Sequence, residues 1–147
     1  MLFRSLIPRP DDSSVLVPIP LGARRLKTRG YNQAAWLARA LAHRWRLRTA
    51  ELLERTRDTT SQTALTPTAR VANVAGAFQL RMAHFGLRES RRRTNSAIHN
   101  PRSTIILVDD VFTTGATLAA AAQAFVTAGA SHVRAVTFGR AVIPDFT

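Results

Sequence analysis

The chain has 147 residues, 46% of them hydrophobic, and 21 Lys and Arg against nine Asp and Glu, for a net charge of +12. A chain of this length makes a single domain, 1–147, able to bury about 68–70% of its unfolded surface; no apolar run approaches the ~20 residues of a membrane span, and the opening MLFRSLIPRPDD is too short and too broken by prolines for a secretory signal. With no cysteine, disulfides and cysteine-ligated zinc are excluded.

Residues 15–19 are a short apolar strand ended by Pro18 and Pro20, followed by a basic loop over 22–30. Residues 31–46 read as a helix, with Ala34, Leu37, Ala38 and Leu41 as its buried stripe. Trp36 and Trp45, nine apart, fall on roughly opposite halves of that stripe; packing is the expected fate of both, base stacking the alternative. Residues 51–55 form a second strand. Residues 57–73 are polar, contain Pro67 and show no clear period, the profile of a mobile loop. An edge strand at 76–82 and a basic, polar, flexible insert at 86–101 follow. The last strand is 132–138, with Arg140 just beyond it, and neither an internal repeat nor a domain boundary is visible.

The most informative stretch is IILVDDVFTTGATL, residues 105–118. Four branched apolar residues fit a strand buried on both faces of a parallel sheet. Residues 116–128 read as a helix, Ala-rich, with Leu118, Ala122 and Phe125 at helical spacing and a stop at Gly129. Asp109 and Asp110 therefore sit where a buried strand hands over to a helix, the position at which open α/β sheets bind ligands. Thr113, Thr114 and Thr117 offer hydroxyls, Ala116 and its neighbours offer helix-start amides, and Gly115 lets an anion approach the backbone; together they suit a dianionic phosphate. The two carboxylates would repel that phosphate, but they can accept from a vicinal diol or hold Mg²⁺ through water. A ligand with a sugar diol and a terminal phosphate satisfies both halves. The plainer reading is a strand ending in solvated acids before a Thr-rich helix cap.

Apolar residues followed by two acids also occur in nucleotide triphosphatases, which need a G-x-x-x-x-G-K-[ST] loop. The single lysine, Lys27, lies in LGARRLKT, with Leu21 and Leu26 where the glycines should be. The triphosphatase reading fails. Arginine clusters at Arg24 and Arg25, at Arg44, Arg46 and Arg48, and at Arg91, Arg92 and Arg93 are either solvated faces or phosphate contacts; together they favour some affinity for nucleic acid. The four histidines, His43, His84, His99 and His132, are scattered and have no ligand-like spacing.

VDDVFTTGAT, residues 108–117, resembles the phosphoribosyl-pyrophosphate (PRPP) motif of type I phosphoribosyltransferases. VPIPLGARRLKTRGYNQAAWLARALA (17–42) and SQTALTPTARVANVAGAF (61–78) resemble the ComF branch of that fold, associated with competence for DNA uptake. Three blocks in the family's order cover most of the chain.

The resemblance implies an α/β fold of type I phosphoribosyltransferase kind, with a mostly parallel sheet of about five strands flanked by helices. It implies ribose and Mg²⁺ contacts at Asp109 and Asp110 and a phosphate site at Thr113, Thr114, Gly115, Ala116 and Thr117. Arg24, Arg25, Arg29 and the Gly30 amide correspond to the pyrophosphate loop, with bracing the other use of Arg29 and Asn32. Arg57, Gln62 and Arg70 correspond to the loop closing over substrate. The implied reaction displaces pyrophosphate from the anomeric carbon of PRPP; no residue stands out as a general base, and the closing loop has no lysine. ComF proteins typically begin with a cysteine zinc module, whereas here sixteen residues precede the VPIPL strand and the chain has no cysteine, so no zinc is expected. The expected location is cytoplasmic, and the expected partners are a PRPP-like molecule, single-stranded DNA held without sequence preference, and DNA-uptake or recombination proteins. An active phosphoribosyltransferase for a small base, and a basic DNA- or protein-binding module with a vestigial pocket, are the competing readings.

Overall fold

The computed structural model describes residues 8–57, 75–81 and 103–140. Within them, β1 (Val15–Pro18), α1 (Ala23–Arg29), α2 (Gln33–Trp45), β2 (Arg48–Thr49), β3 (Leu53–Arg55), β4 (Phe78–Leu80), β5 (Thr104–Phe112), α3 (Ala116–Thr127) and β6 (His132–Arg140) follow in order. Four strands make one sheet in the order β2-β1-β5-β6, and every pairing in it is parallel. The fold class is thus α/β. Among the described residues the parallel sheet has four strands rather than about five, and β3 pairs antiparallel with β4 in a separate two-stranded sheet.

Alternation along the central strands divides the core in two. Val15, Val17, Ile105 and Leu107 face one side, where they meet Leu118, Ala121 and Phe125 of α3 and Leu53 and Phe78 of the β3–β4 pair. Leu16, Ile106 and Val108 face the other side, against Ala38 and Trp45 of α2. Both faces of β1 and β5 are covered, which is why their sequences are continuously apolar rather than alternating. Phe125 is fully buried; a core Phe→Ala change costs about 3–5 kcal/mol.

The two Trp residues part company. Trp45 is 4% exposed in the α2 core, whereas Trp36 is 65% exposed. Nine residues of helix turn the chain by about half a circle, so once Ala34, Ala38 and Trp45 face the sheet Trp36 must face solvent. The expectation that both would pack is therefore wrong for Trp36.

The basic stretch expected as a loop is mostly helix. Ala23–Arg29 buries no residue, so no core-facing stripe marks it. It forms from good helix formers, with Lys27 and Arg29 in the last turn favourable to the helix dipole, and ends at Gly30, whose left-handed φ of 77° closes the helix through an N–H donated to the Leu26 carbonyl at 2.8 Å.

Candidate ligand-binding cleft

The connection from β1 to β2 runs through α1 and α2 to one side of the sheet, and the connection from β5 to β6 runs through α3 to the other. The strand order reverses between β1 and β5, and a crevice opens beyond their carboxyl ends at such a point. A cleft of 920 Å³ lies there, walled by the end of β1, α1, the end of β5 and the start of α3, with Arg55 entering from β3.

Asp109 and Asp110 both line the cleft. They belong to β5, which runs on to Phe112 rather than stopping before the acids. The Asp110 N–H donates to Asp109 Oδ1 at 2.9 Å, and the Val111 N–H donates to Asp110 Oδ1 at 2.9 Å. One oxygen of each carboxylate is thereby turned back on its own backbone. Burial pushes the Asp109 carboxyl up to about 7, and the neighbouring Asp110 charge adds to the rise, while the Asp110 N–H and the Arg55 guanidinium oppose it.

The loop after β5 is divided between two surfaces. Thr113, Gly115 and Thr117 line the cleft, but Thr114 and Ala116 instead line a shallower groove between α3 and β4. Thr114 Oγ1 accepts from the Ala116 N–H at 3.4 Å, an ST-type turn before the helix. Expected phosphate contacts from the Thr114 hydroxyl and Ala116 therefore do not arise from the cleft wall. Gly115 has φ 77° at the N-cap of α3, and a Cβ on it would stand 2.9 Å from the Phe112 ring. Its permissive backbone serves the turn under Phe112 before it serves any anion.

On the opposite wall, Arg24, Arg25 and Arg29 line the cleft from α1. Gly30, where an amide contact to pyrophosphate was expected, does not line the cleft, and its N–H donates to the Leu26 carbonyl. Asn32 secures this wall. Its Nδ2 donates to the Ile19 carbonyl at 2.9 Å, and its Oδ1 accepts from the Ala34 N–H at 3.1 Å, capping α2. The Ile19 N–H in turn donates to the Val108 carbonyl at 2.9 Å, which ties the turn after β1 to β5 beside Asp109.

Arg57 lies outside the cleft wall. Its guanidinium donates to the Ala75 carbonyl, linking the residues after β3 to the turn before β4. That is a bracing contact where a substrate contact was expected. Gln62, Arg70, Arg91, Arg92 and Arg93 lie outside the described residues. Arg44, Arg46 and Arg48 are exposed along the end of α2 and β2, away from the cleft.

Arg55 is the residue that sequence reasoning missed. It stacks its guanidinium over the Phe78 ring, 5.3 Å from the centroid, and reaches the cleft from the small sheet. Only tertiary structure brings it to Asp109, and its position as the last residue of a strand was the sole available signal. Four arginines (Arg24, Arg25, Arg29 and Arg55) thus face two carboxylates across the cleft, which leaves it positive and suited to a polyanion that also carries hydroxyls. No group of three or more His, Cys, Asp or Glu side chains placed to hold a metal occurs among the described residues.

Comparison with known proteins finds the chain similar to the DNA utilization protein YhgH of Salmonella typhi, with 33% identity over 132 residues, covering 87% of this chain and 48% of that protein. YhgH of Salmonella typhimurium LT2 and of Escherichia coli K12 are each 33% identical over 123 residues, covering 81% of this chain and 46% of theirs. The chain spans about half the length of the curated relatives it matches. No family model and no solved structure matches it. Among the described residues, no helix is long and apolar enough to cross a membrane.

Proposed function

We propose that the chain is a ComF-like domain of type I phosphoribosyltransferase fold that holds a PRPP-type ligand in this cleft and serves in the use of DNA taken up by the cell. One observation carries the reading. At the reversal between β1 and β5, two strand-end carboxylates, a left-handed Gly115 turn and three arginines of α1 meet in one cleft. The carboxylates suit a ribose diol, the Thr113 and Thr117 side suits its 5′-phosphate, and the α1 arginines suit a pyrophosphate. The relatives' name, DNA utilization protein, supports the second half of the proposal.

Two adjacent carboxylates fit a Mg²⁺ ion that keeps several waters and takes its remaining ligands from the phosphates. Such an ion would neutralise charge on the pyrophosphate. Arg24, Arg25 and Arg29 would hold the same group from α1, and Arg55 would add charge beside Asp109. Ligand retention is what these residues support. Calorimetry with PRPP, with and without Mg²⁺, tests the reading. Saturable binding strengthened by Mg²⁺ supports it, and no heat at millimolar PRPP overturns it.

A further inference from the structure

The solvent face of α2 carries chemistry that the cleft does not use. Between Asp12 and Glu51 the sequence holds eight cations and no acid; Arg24, Arg25 and Arg29 line the cleft and Arg39 pairs with Glu51 at 4.0 Å, while Arg44, Arg46 and Arg48 are exposed at the end of α2 and on β2. Two aromatic rings stand in that basic field. Trp36 is 65% exposed and Tyr31 is 51% exposed. Tyr31 is the residue before the N-cap of α2 and Trp36 its fourth helical position, where apolar residues commonly staple a helix start. Both nevertheless keep half or more of their surface in water, so the staple does not account for them. Neither lines the cleft. Arg44 follows Trp36 by about two helical turns, roughly 12 Å, and Arg46 at the helix cap and Arg48 on β2 follow it in the chain, all three exposed.

We propose that this face, from Tyr31 and Trp36 to Arg44, Arg46 and Arg48, is a binding surface for single-stranded DNA, in which the rings stack on bases and the arginines hold phosphates. The proposal rests on the DNA half of the function argued above. Bases of a single strand present open π-faces, whereas a duplex hides them, so exposed rings among cations favour the single strand. Stacking is indifferent to sequence and arginine–phosphate contacts carry none, so the surface would bind without sequence preference.

Intrinsic fluorescence reads the contact directly, because the chain has two Trp and the second, Trp45, is buried in the core. Titration with an oligothymidylate should quench the emission of exposed Trp36. Trp36→Leu should abolish the quench and weaken binding about tenfold, with the salt dependence unchanged because no charge is lost. Trp36→Phe, which keeps a stacking ring, should recover most of the affinity. Arg44→Ala should instead lower the slope of log affinity against log salt by about 0.7, the release from one phosphate of a single strand. PRPP binding should be the same in all three variants. If the wild-type protein binds the oligonucleotide but Trp36→Leu binds it equally well, the surface is misassigned while the DNA reading stands. If the wild-type protein does not bind at all, both fail.

Discussion

The side-chain amide of Asn32 donates to the backbone carbonyl of Ile19 at 2.9 Å, and this one contact joins the end of β1 to the start of α2. Because its Oδ1 caps α2 at the same time, Asn32 closes the α1 excursion into a fixed wall of the cleft. Asn32→Ala should remove a cap of about 1 kcal/mol and a hydrogen bond of about 1 kcal/mol, lowering the urea midpoint accordingly. Asn32→Asp keeps the cap acceptor but turns an oxygen toward the Ile19 carbonyl. It should preserve helicity and still weaken ligand binding, whereas PRPP affinity equal to that of the wild type in both variants would show that the wall needs no such tie.

Gly115 and Phe112 set a second dependence. Gly115→Ala meets two costs, the left-handed φ of 77° and a Cβ 2.9 Å from the Phe112 ring. The backbone cost is about 1–2 kcal/mol, and the clash adds to it. Phe112→Leu alone should be mildly destabilising, and combined with Gly115→Ala it should recover the clash but not the φ cost. Denaturant unfolding of the four proteins gives a coupling energy that favours the double variant. Strict additivity would mean that the ring moves aside freely.

These contacts also show what could be read in the residues alone. The apolar run of β5, the period of α2 and the Ala-rich α3 announce themselves, because burial on both faces or along a stripe leaves a pattern. Helix α1 was hidden, since it buries nothing and stands on propensity and a glycine cap. Strand β2 is two exposed residues, Arg48 and Thr49, recruited by backbone pairing to β1. The segments of β3 and β4 were legible as strands but not as partners, because pairing is a long-range choice. Within the cleft, Asp109, Asp110 and the α1 arginines were legible. Which way Thr114 and Ala116 face depends on the turn after Phe112, and Arg55 reaches Asp109 only through the placement of the small sheet.

Arg46 sits at the C-cap of α2 with φ 55° and ψ 40°, and it is the one non-glycine residue at positive φ among the described residues. Glycine is the usual occupant of that conformation. Arg46→Gly should relieve the strain and raise stability by about 0.5–1 kcal/mol, after the greater unfolded-state entropy of glycine is counted. The check is thermal melting. The same change removes one cation from the proposed DNA surface, so a higher melting temperature should accompany a shallower salt slope.

Asp109 should make the domain's stability depend on pH up to about neutrality. Its folded-state carboxyl is pushed up to about 7 from an ordinary 3.8, chiefly by burial. Between those values the folded protein binds more protons here than the unfolded chain does. The contribution of this group to stability is therefore greatest below about pH 4, declines as pH rises through about 7 and is level above. Asp109→Asn should flatten that component of the stability profile. Arg55→Met removes a charge that holds the carboxyl down, so the decline should extend to higher pH. If Asp109 accepts ribose hydroxyls only when ionised, PRPP affinity should climb between about pH 6 and 8 in the wild type and not in Asp109→Asn. A flat affinity profile in the wild type would remove Asp109 from the ligand site.

The decisive variant changes Asp109 and Asp110 together to Asn. Side-chain size is kept, while the charge that would hold Mg²⁺ and the strong acceptors for a diol are lost. Hydrogen bonds to charged groups contribute about 1.5–3 kcal/mol each, so PRPP affinity should fall at least tenfold. With the buried acid gone from β5, the folded protein should hold or gain stability at neutral pH, so a variant that binds poorly because it has unfolded is recognised by its lost melting transition. The protein also becomes two charges more positive, so oligothymidylate affinity should hold or rise slightly. In cells, transformation that survives the double substitution would make the cleft dispensable and leave the α2 surface as the working part. Transformation that fails while DNA binding and melting temperature stay intact would make the cleft's ligand part of the function. Unchanged PRPP affinity would place the ribose elsewhere than on these two acids.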